Sequence, residues 1–476
     1  MFATTISPAG EEGRTGWRAS PELAFGLFAG LAAFALAALS PAILNDSDTY
    51  WQILSGAWMV DHSRVLRADP FSYTAAGQAL STQSWLAEIV MAQVYRAAGW
   101  AGIHALFGAA AGLTAFTVAR FLRRRIDTLP ALVTAVLGLA CVSVSLLARP
   151  HMLALPLLAL WTAALVAARE KNAAPSYWLL PVMALWANLH GSFAFGLALA
   201  AALGAEAIIE SPTSRRTAIA WGAFLLAAVA AAMLTPEGWR GLLFPVHLTA
   251  MTQLAHIGEW QASDFTHPGP LEFALLGALF VLARGRVRVR LVRLLILMGL
   301  VHLALAHARH QMLLGVAGTL LLAPALAAAW PARNRKTSPL PAVAAGLLLV
   351  LGLALRLSVP APRGQDAISP QAALAHVPRF VREMPVLNDY AFGGYLIWTG
   401  ARPFVDSRAD LYGDDFLSNY AALTAPDKDA LASSLAYYHV RWTIFRADAP
   451  VVKLLDAMPG WQRLYADNVA VVHVHD

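Results

Sequence analysis

An acidic pair, Asp46 and Asp48, stands in the run Asn45-Asp46-Ser47-Asp48-Thr49-Tyr50-Trp51, just past the first long apolar stretch of the chain. Desolvating a charge beside lipid is expensive, so acids at the end of a membrane helix are candidate functional groups. A carboxylate there can serve as general base toward a hydroxyl, or can hold a divalent cation such as Mg or Mn. The plainer alternative is a helix ending in water, where Asn-Asp-Ser is ordinary turn chemistry. Other apolar stretches end in polar residues too: Arg149-Pro150-His151, Asn188-Leu189-His190, Glu237 with Glu259 later in the same loop, and His307-Ala308-Arg309-His310. Arginine is the natural bidentate partner of phosphate, which makes Arg149 and Arg309 candidate anion ligands. Each could otherwise snorkel or pair with an acid. His151, His190, His307 and His310 show no metal-ligand spacing, and the single Cys141 lies in an apolar run, so no zinc or Fe–S cysteine site is expected.

The rest of the polar chemistry lies in Arg67–Thr74, which holds Asp69, and in two segments near the C-terminus. One runs from Asn388-Asp389-Tyr390 through Gly393-Gly394 to Trp398. The other, Pro403–Tyr412, carries Asp406, Arg408 and Asp410 after an expected short strand. Loops at strand ends often carry binding groups. A compact turn with internal ion pairs would give the same pattern.

These groups are spread along a chain that is 58% hydrophobic and 13% charged over 476 residues. An average soluble domain is about a quarter charged, and the excess apolar residues here fall in blocks, the mark of a membrane protein. Spans are expected at 22–44, 101–121, 129–147, 152–168, 175–189, 193–209, 217–234, 270–283, 291–307, 311–329 and 340–358, about eleven in all. The first is too long for the apolar core of a cleaved signal peptide. Basic clusters follow the even-numbered spans: Arg120 to Arg125, Arg169 with Lys171, Arg215 with Arg216, Arg284 to Arg293, and Arg333 to Lys336. The positive-inside rule makes that side cytoplasmic, together with Arg14 and Arg18. The net charge of +6 is therefore read as topology rather than nucleic-acid binding. The expected organisation is a cytoplasmic tail over 1–21, a membrane domain over 22–358 with outer loops 45–100 and 235–269, and an extracytoplasmic α/β domain over 360–476. An interfacial amphipathic helix is expected at Tyr50, Trp51 and Trp58. In the C-terminal domain, helices are expected at 370–383 and Pro426–Tyr437, and strands at Val386–Leu387, Pro403–Asp406, Thr443–Phe445 and Val469–Val474.

The arrangement resembles the GT-C superfamily of membrane glycosyltransferases, with its protein mannosyltransferase-like and oligosaccharyltransferase-like members. The resemblance covers the whole chain in architecture. In motif it rests on Asp46 and Asp48 in the first outer loop, and on the placement of Asn388–Trp398 and Pro403–Tyr412. A WWD-type motif is missing, and Asn388-Asp389-Tyr390 echoes it only loosely, which argues against protein N-glycosylation. The resemblance implies inverting transfer of a hexose or pentose from a polyprenyl-phosphate carrier to a glycan, lipid or protein acceptor, on the outer side of a bacterial-type inner membrane. Asp48 or Asp46 would deprotonate or orient the acceptor hydroxyl. Arg149 and Arg309, with His151 and His310, would hold the carrier phosphate, and the lipid tail would lie in a groove between spans. Asp69, Asn188, His190, Glu237, Glu259, Asp389, Asp406 and Arg408 would line the acceptor side. Two other classes compete. A secondary transporter would place its polar groups near the bilayer midplane, and a lipid-binding scaffold would not need the acids.

Overall fold

The apolar runs fold as helices, the one structure that satisfies every backbone polar group within a single lipid-exposed segment. The computed structural model describes residues 20–81, 83–211, 214–249, 251–253, 258–333, 340–359, 363–425 and 427–476. Arg14, Arg18, Arg335, Lys336 and Pro426, and parts of the 1–21 tail and the 235–269 loop, lie outside them. In chain order come α1 (Pro21–Leu39), α2 (Asp48–His62), α3 (Trp85–Arg123), α4 (Thr128–Ala140), α5 (Pro150–Glu170), α6 (Leu179–Leu189), α7 (Phe193–Ile209), α8 (Ser214–Ala232), α9 (Trp239–Thr249), α10 (Pro270–Ala283) and α11 (Leu291–Ala306). Helical turns over Ala308–Ala329 and a helix over Leu340–Ser358 follow. Among the described residues, six helices are long and apolar enough to cross a membrane, and further apolar helices are shorter. The chain is a multi-pass membrane protein by that measure.

Several boundaries differ from the sequence-based expectation. The first helix stops at Leu39, and Pro41–Leu44 form a 3-10 turn. Helix α4 ends at Ala140 rather than 147, giving way to another 3-10 turn at Ser143–Ser145. Helix α3 starts sixteen residues before the expected span and is kinked at Ala98 and Gly99, whose φ is 55°. Helix α9 occupies part of the expected 235–269 loop. Helices α1 and α3 approach closely where Gly30 meets Gly112: a Cβ on Gly30 would lie 3.0 Å from the Gly112 carbonyl oxygen. Each glycine belongs to a Gly-xxx-Gly pair, the small-residue spacing that lets membrane helices touch. Arg169 and Arg293, read as loop charges, are instead buried: both bond the fully buried Glu206, at 3.3 and 3.0 Å, and so join α5, α7 and α11.

The C-terminal segment forms a sheet in the order β1-β2-β4-β3, with β1 at Val386–Asn388, β2 at Trp442–Arg446, β3 at Trp461–Ala466 and β4 at Ala470–His475. The β1–β2 pair is parallel and the other pairs are antiparallel. Residues 370–383 break at Pro378 into two short helices, Gln371–His376 and Arg379–Arg382. The expected Pro403–Asp406 strand does not form. Its backbone bonds the Asn388 side chain instead, with Phe404 N donating to Oδ1 at 2.8 Å and Nδ2 donating to Val405 O at 2.9 Å. A helix over Ala409–Thr424, interrupted at Gly413 where φ is 74°, was not expected. The helix anticipated from Pro426 is described from Lys428, where Asp427 caps the first turn.

This domain is seated on α2. The Tyr50 hydroxyl bonds Ser369 Oγ at 2.6 Å, and its ring meets Tyr395 and Trp398 at 5.2 and 5.5 Å. The Arg363 guanidinium stacks over Tyr50 at 4.3 Å and Trp100 at 5.1 Å. Gly394 is required at the contact, since a Cβ there would fall 2.1 Å from Ser47 O. The glycine pair, which follows β1, opens a helix over Gly393–Trp398.

Candidate functional site

Asp46 and Asp48 sit where the 3-10 turn after α1 hands over to α2. Asp46 Oδ1 accepts from Asp48 N at 3.0 Å, an Asx turn that starts the helix. Asp48 then lies in the first turn of α2, where the helix dipole favours a negative charge. Arg149 precedes Pro150 and is extended, as a residue before proline prefers, with φ −124° and ψ 155°. Two cross-links bring it to the acids: Ala148 N donates to Ile43 O at 2.6 Å, and Thr49 Oγ1 donates to Ala148 O at 3.2 Å. Glu259 lies in a 3-10 turn, Gly258–Trp260, that is fastened to the turn carrying Arg309. Ala308 N donates to Gln261 O at 2.9 Å, and His307 Nδ1 bonds Trp260 O at 2.6 Å.

These turns place Arg149 among three carboxylates. Its Nε and Nη2 clasp Asp46, the latter at 2.8 Å; Nη2 also lies 3.2 Å from Asp48 Oδ2; Nη1 donates to Glu259 Oε2 at 2.9 Å. Arg309 Nη1 donates to Glu259 Oε1 at 3.0 Å, and its guanidinium stacks over Trp260 at 4.4 Å. Burial pushes the Asp48 carboxyl up to about 7; Arg149 opposes the rise and Asp46 adds to it. Burial would also raise Glu259, but Arg149 and Arg309 outweigh it and hold the group below the usual carboxylate range. A cavity of about 280 Å³ opens beside the cluster, lined by Glu259, Arg309, His151, Ser145 and Met312 among others. His151 is fixed by a 2.8 Å bond to Ser145 O, and the His190 ring lies 6.1 Å from it. The His310 ring packs 5.3 Å from His307, and its buried Nδ1 has no hydrogen-bond partner.

The structure thus brings together Asp46, Asp48, Arg149, Glu259 and Arg309, with His151, His190 and His310 close by. It draws Asp69, Asp406 and Arg408 into a separate buried cluster. Arg408 donates to Asp69 Oδ1 at 2.6 Å through Nη1, and to Asp406 at 2.8 Å through Nε and 2.6 Å through Nη2; the Tyr412 hydroxyl donates to Asp406 at 2.8 Å. Ser72 Oγ donates to Asp69 at 2.5 Å. This cluster fastens the first long loop to the C-terminal domain. Asn188 is held between helices, accepting from Trp85 Nε1 at 2.7 Å and donating to Leu234 O at 2.8 Å. Asp389 caps the turn at Tyr390 and pairs with Arg446 at 3.2 Å. Glu237 is half-buried in the turn before α9.

Three contributors escaped the sequence reading. Trp51 Nε1 bridges Asp48 Oδ1, at 3.3 Å, and Ser407 Oγ, at 3.1 Å, so the C-terminal domain reaches the acid pair. The Tyr390 hydroxyl is buried without a hydrogen-bond partner, within electrostatic range of Asp48, Asp406, Arg149 and Glu259. The acids themselves were marked by their place just past the first apolar run. No signal in sequence marks a bridging Trp or Ser three hundred positions away.

A divalent cation such as Mg or Mn needs free oxygens at octahedral geometry. Both oxygens of Asp46, Asp48 and Glu259 already face N–H donors of Arg149, Arg309, Trp51 or the Asp48 backbone. Among the described residues, no three of His, Cys, Asp and Glu converge as a metal site. The donor set as arranged does not fit a metal.

No family model and no curated protein matches the sequence. The fold, however, is similar to solved structures. An archaeal oligosaccharyltransferase, AglB from Archaeoglobus fulgidus, solved with an inhibitory peptide and a dolichol-phosphate, superposes with a TM-score of 0.54 and 13% identity, covering 96% of this chain and 74% of that one. A second A. fulgidus oligosaccharyltransferase structure, with zinc and sulfate, gives a TM-score of 0.49 and 11% identity over 88% of this chain and 68% of that one. Over nearly its full length, the chain shares the fold of the archaeal oligosaccharyltransferase.

Proposed function

We propose that this chain is a membrane glycosyltransferase that moves a sugar from a polyprenyl-phosphate carrier to an acceptor hydroxyl on the non-cytoplasmic side of the membrane. The observation that carries the reading is the acid–arginine cluster opening onto a 280 Å³ cavity lined by Arg309 and His151. Asp48, rather than Asp46, is the base: Asp46 is clasped by the Arg149 fork, whereas Asp48 is protonated and deprotonated near neutral pH. Asp48 takes the acceptor proton as the acceptor oxygen bonds to the anomeric carbon. The bond from that carbon to the phosphate oxygen breaks, and the polyprenyl phosphate departs with the electron pair. One displacement inverts the anomeric centre. Arg309, which lines the cavity, stabilises the leaving phosphate, with His151 and His310 beside it. Arg149 is committed to the three acids and acts on charge balance instead of gripping phosphate.

The lipid tail has a place next to this cavity. A second cavity of about 710 Å³, almost wholly apolar, runs between α4, α10, α11 and the helix after it, lined by Leu137, Cys141, Leu275, Leu305 and Leu314 among others. Cys141, Leu305 and Leu314 each stand within a turn of a residue lining the polar cavity. The solved archaeal protein of this fold binds a dolichol-phosphate, a ligand of the same chemistry. The basic residues between helices orient the polar end outward by the positive-inside rule, in line with a membrane domain over 22–358 and an outer domain over 360–476. The test is transfer from a polyprenyl-phosphate sugar by the purified protein: Asp48→Asn abolishes it while the variant inserts and folds normally. Full transfer by Asp48→Asn, Asp46→Asn and the double variant would refute the assignment.

A further inference from the structure

We infer that Arg149 stands where a divalent cation would stand among these acids, so that the charge-balancing cation of the site is part of the chain. The guanidinium contributes Nε and both Nη groups, and each faces a carboxylate: Asp46 through Nε and Nη2, Asp48 through Nη2, Glu259 through Nη1. A rigid, planar fork of five donors can serve all three carboxylates at once. The donor is also pinned. Pro150 restricts its backbone, and the bonds of Ala148 and Thr49 lock the segment to the acid turn. The side chain is 20% exposed, so leaving its place would strand Asp46, which is 3% exposed, without its partner. A metal ion entering with Arg149 in place would meet a second positive charge and find both oxygens of each acid occupied. The three acids carry three negative charges and Arg149 with Arg309 two positive ones. The sum is minus one, and it falls to zero when Asp48 takes up a proton. The cluster is therefore balanced in the protonated state that follows acceptor deprotonation, without any further cation.

The inference concerns the same acids as the transferase reading, but its test reads binding of the metal alone. Full-length protein in detergent, stripped with EDTA, is titrated with Mn²⁺ while the free ion is followed by electron paramagnetic resonance. The wild type is expected to bind no Mn²⁺ at the acids. Arg149→Met, which removes the guanidinium and keeps an apolar stem, is expected to bind one Mn²⁺ per chain, and adding Glu259→Gln abolishes that binding. A wild-type chain that binds one Mn²⁺ and loses it in Glu259→Gln overturns the inference. So does an Arg149→Met variant that unfolds cooperatively, as the wild type does, yet binds none. If Arg149→Met does not fold, the wild type and Glu259→Gln decide the matter between them. A chain with no transferase activity would leave the Mn²⁺ titrations unchanged, so the two readings fail separately.

Discussion

Two arginines in this molecule are each held by acids, and they sit in opposite kinds of place. Arg149 meets Asp46, Asp48 and Glu259 at the end of the helical bundle; its side chain is 20% exposed and its neighbours line a cavity. Arg408 meets Asp69 and Asp406 between the first loop and the C-terminal domain; its side chain is 1% exposed and both acids are fully buried. In sequence the two look alike, as Asp-x-Asp and Asp-x-Arg in polar turns. The two clusters carry the same net charge, and the difference is access. Every polar atom of the Arg408 cluster is satisfied internally, by Ser72 and Tyr412 as well as the ion pairs, so nothing is left for a substrate. The Arg149 cluster includes Glu259 and Arg309, which line a cavity, and an acid, Asp48, whose carboxyl is raised to about 7. Burial with every polar atom satisfied internally builds a joint, and a buried cluster whose members line a cavity builds a candidate site.

The comparison breaks most easily at the joint. Arg408→Met strands two buried carboxylates, and breaking a buried pair from one side costs about 3–5 kcal/mol. The variant should therefore unfold at markedly lower denaturant or temperature in detergent, whereas Asp48→Asn should unfold like the wild type while losing transfer by about 10²- to 10⁴-fold. Equal stability of the two variants would mean that the clusters do not differ as described. Arg309→Met removes charge-assisted bonds worth about 1.5–3 kcal/mol, so kcat/KM for the lipid-linked donor should fall by roughly one to two orders of magnitude with little change in stability. The pH dependence comes next. Because Asp48 must be ionised to accept a proton and its carboxyl is raised to about 7, kcat/KM should be flat above that value and fall by about tenfold per pH unit below it. Asp46→Asn removes a neighbouring negative charge that helps raise Asp48, so any residual activity should show its midpoint displaced to lower pH. Gly394→Ala tests the seam between the two clusters. A Cβ 2.1 Å from Ser47 O must push the start of α2 away from the C-terminal domain, lowering transfer more than thermal stability.

Charges at helix ends were legible in sequence because lipid makes them costly: Asp46, Asp48, Arg149 and Arg309 stood out that way, Glu259 stood out as an acid in an outer loop, and all five come together. Their partnership was not legible. That Arg149 would turn to the acids and leave the cavity to Arg309 follows from the Ile43–Ala148 bond, a tertiary contact. The apolar runs foretold nearly all the helices, but not their ends, which Pro41 and the 3-10 turn at Ser143–Ser145 set. In the C-terminal domain, β1, β2 and β4 are buried apolar strands and were found. The third strand, β3, has an exposed, mostly polar face, and it was missed. Pro403–Asp406 misled because it has the composition of a strand, but the Asn388 amide takes the place of a neighbouring strand. Trp51, Ser407 and Tyr390 carry no unusual signal until the fold brings them to Asp48.

The claim at the centre of this account is that the polar end of the bundle holds a lipid-linked sugar phosphate. Mass spectrometry of the lipids retained by the purified protein tests it most directly. The account predicts a polyprenyl phosphate bound to the wild type, carrying its sugar in the Asp48→Asn variant, and depleted in Arg309→Met. Bulk membrane phospholipid alone in all three, or a polyprenyl phosphate retained undiminished by Arg309→Met, would contradict it.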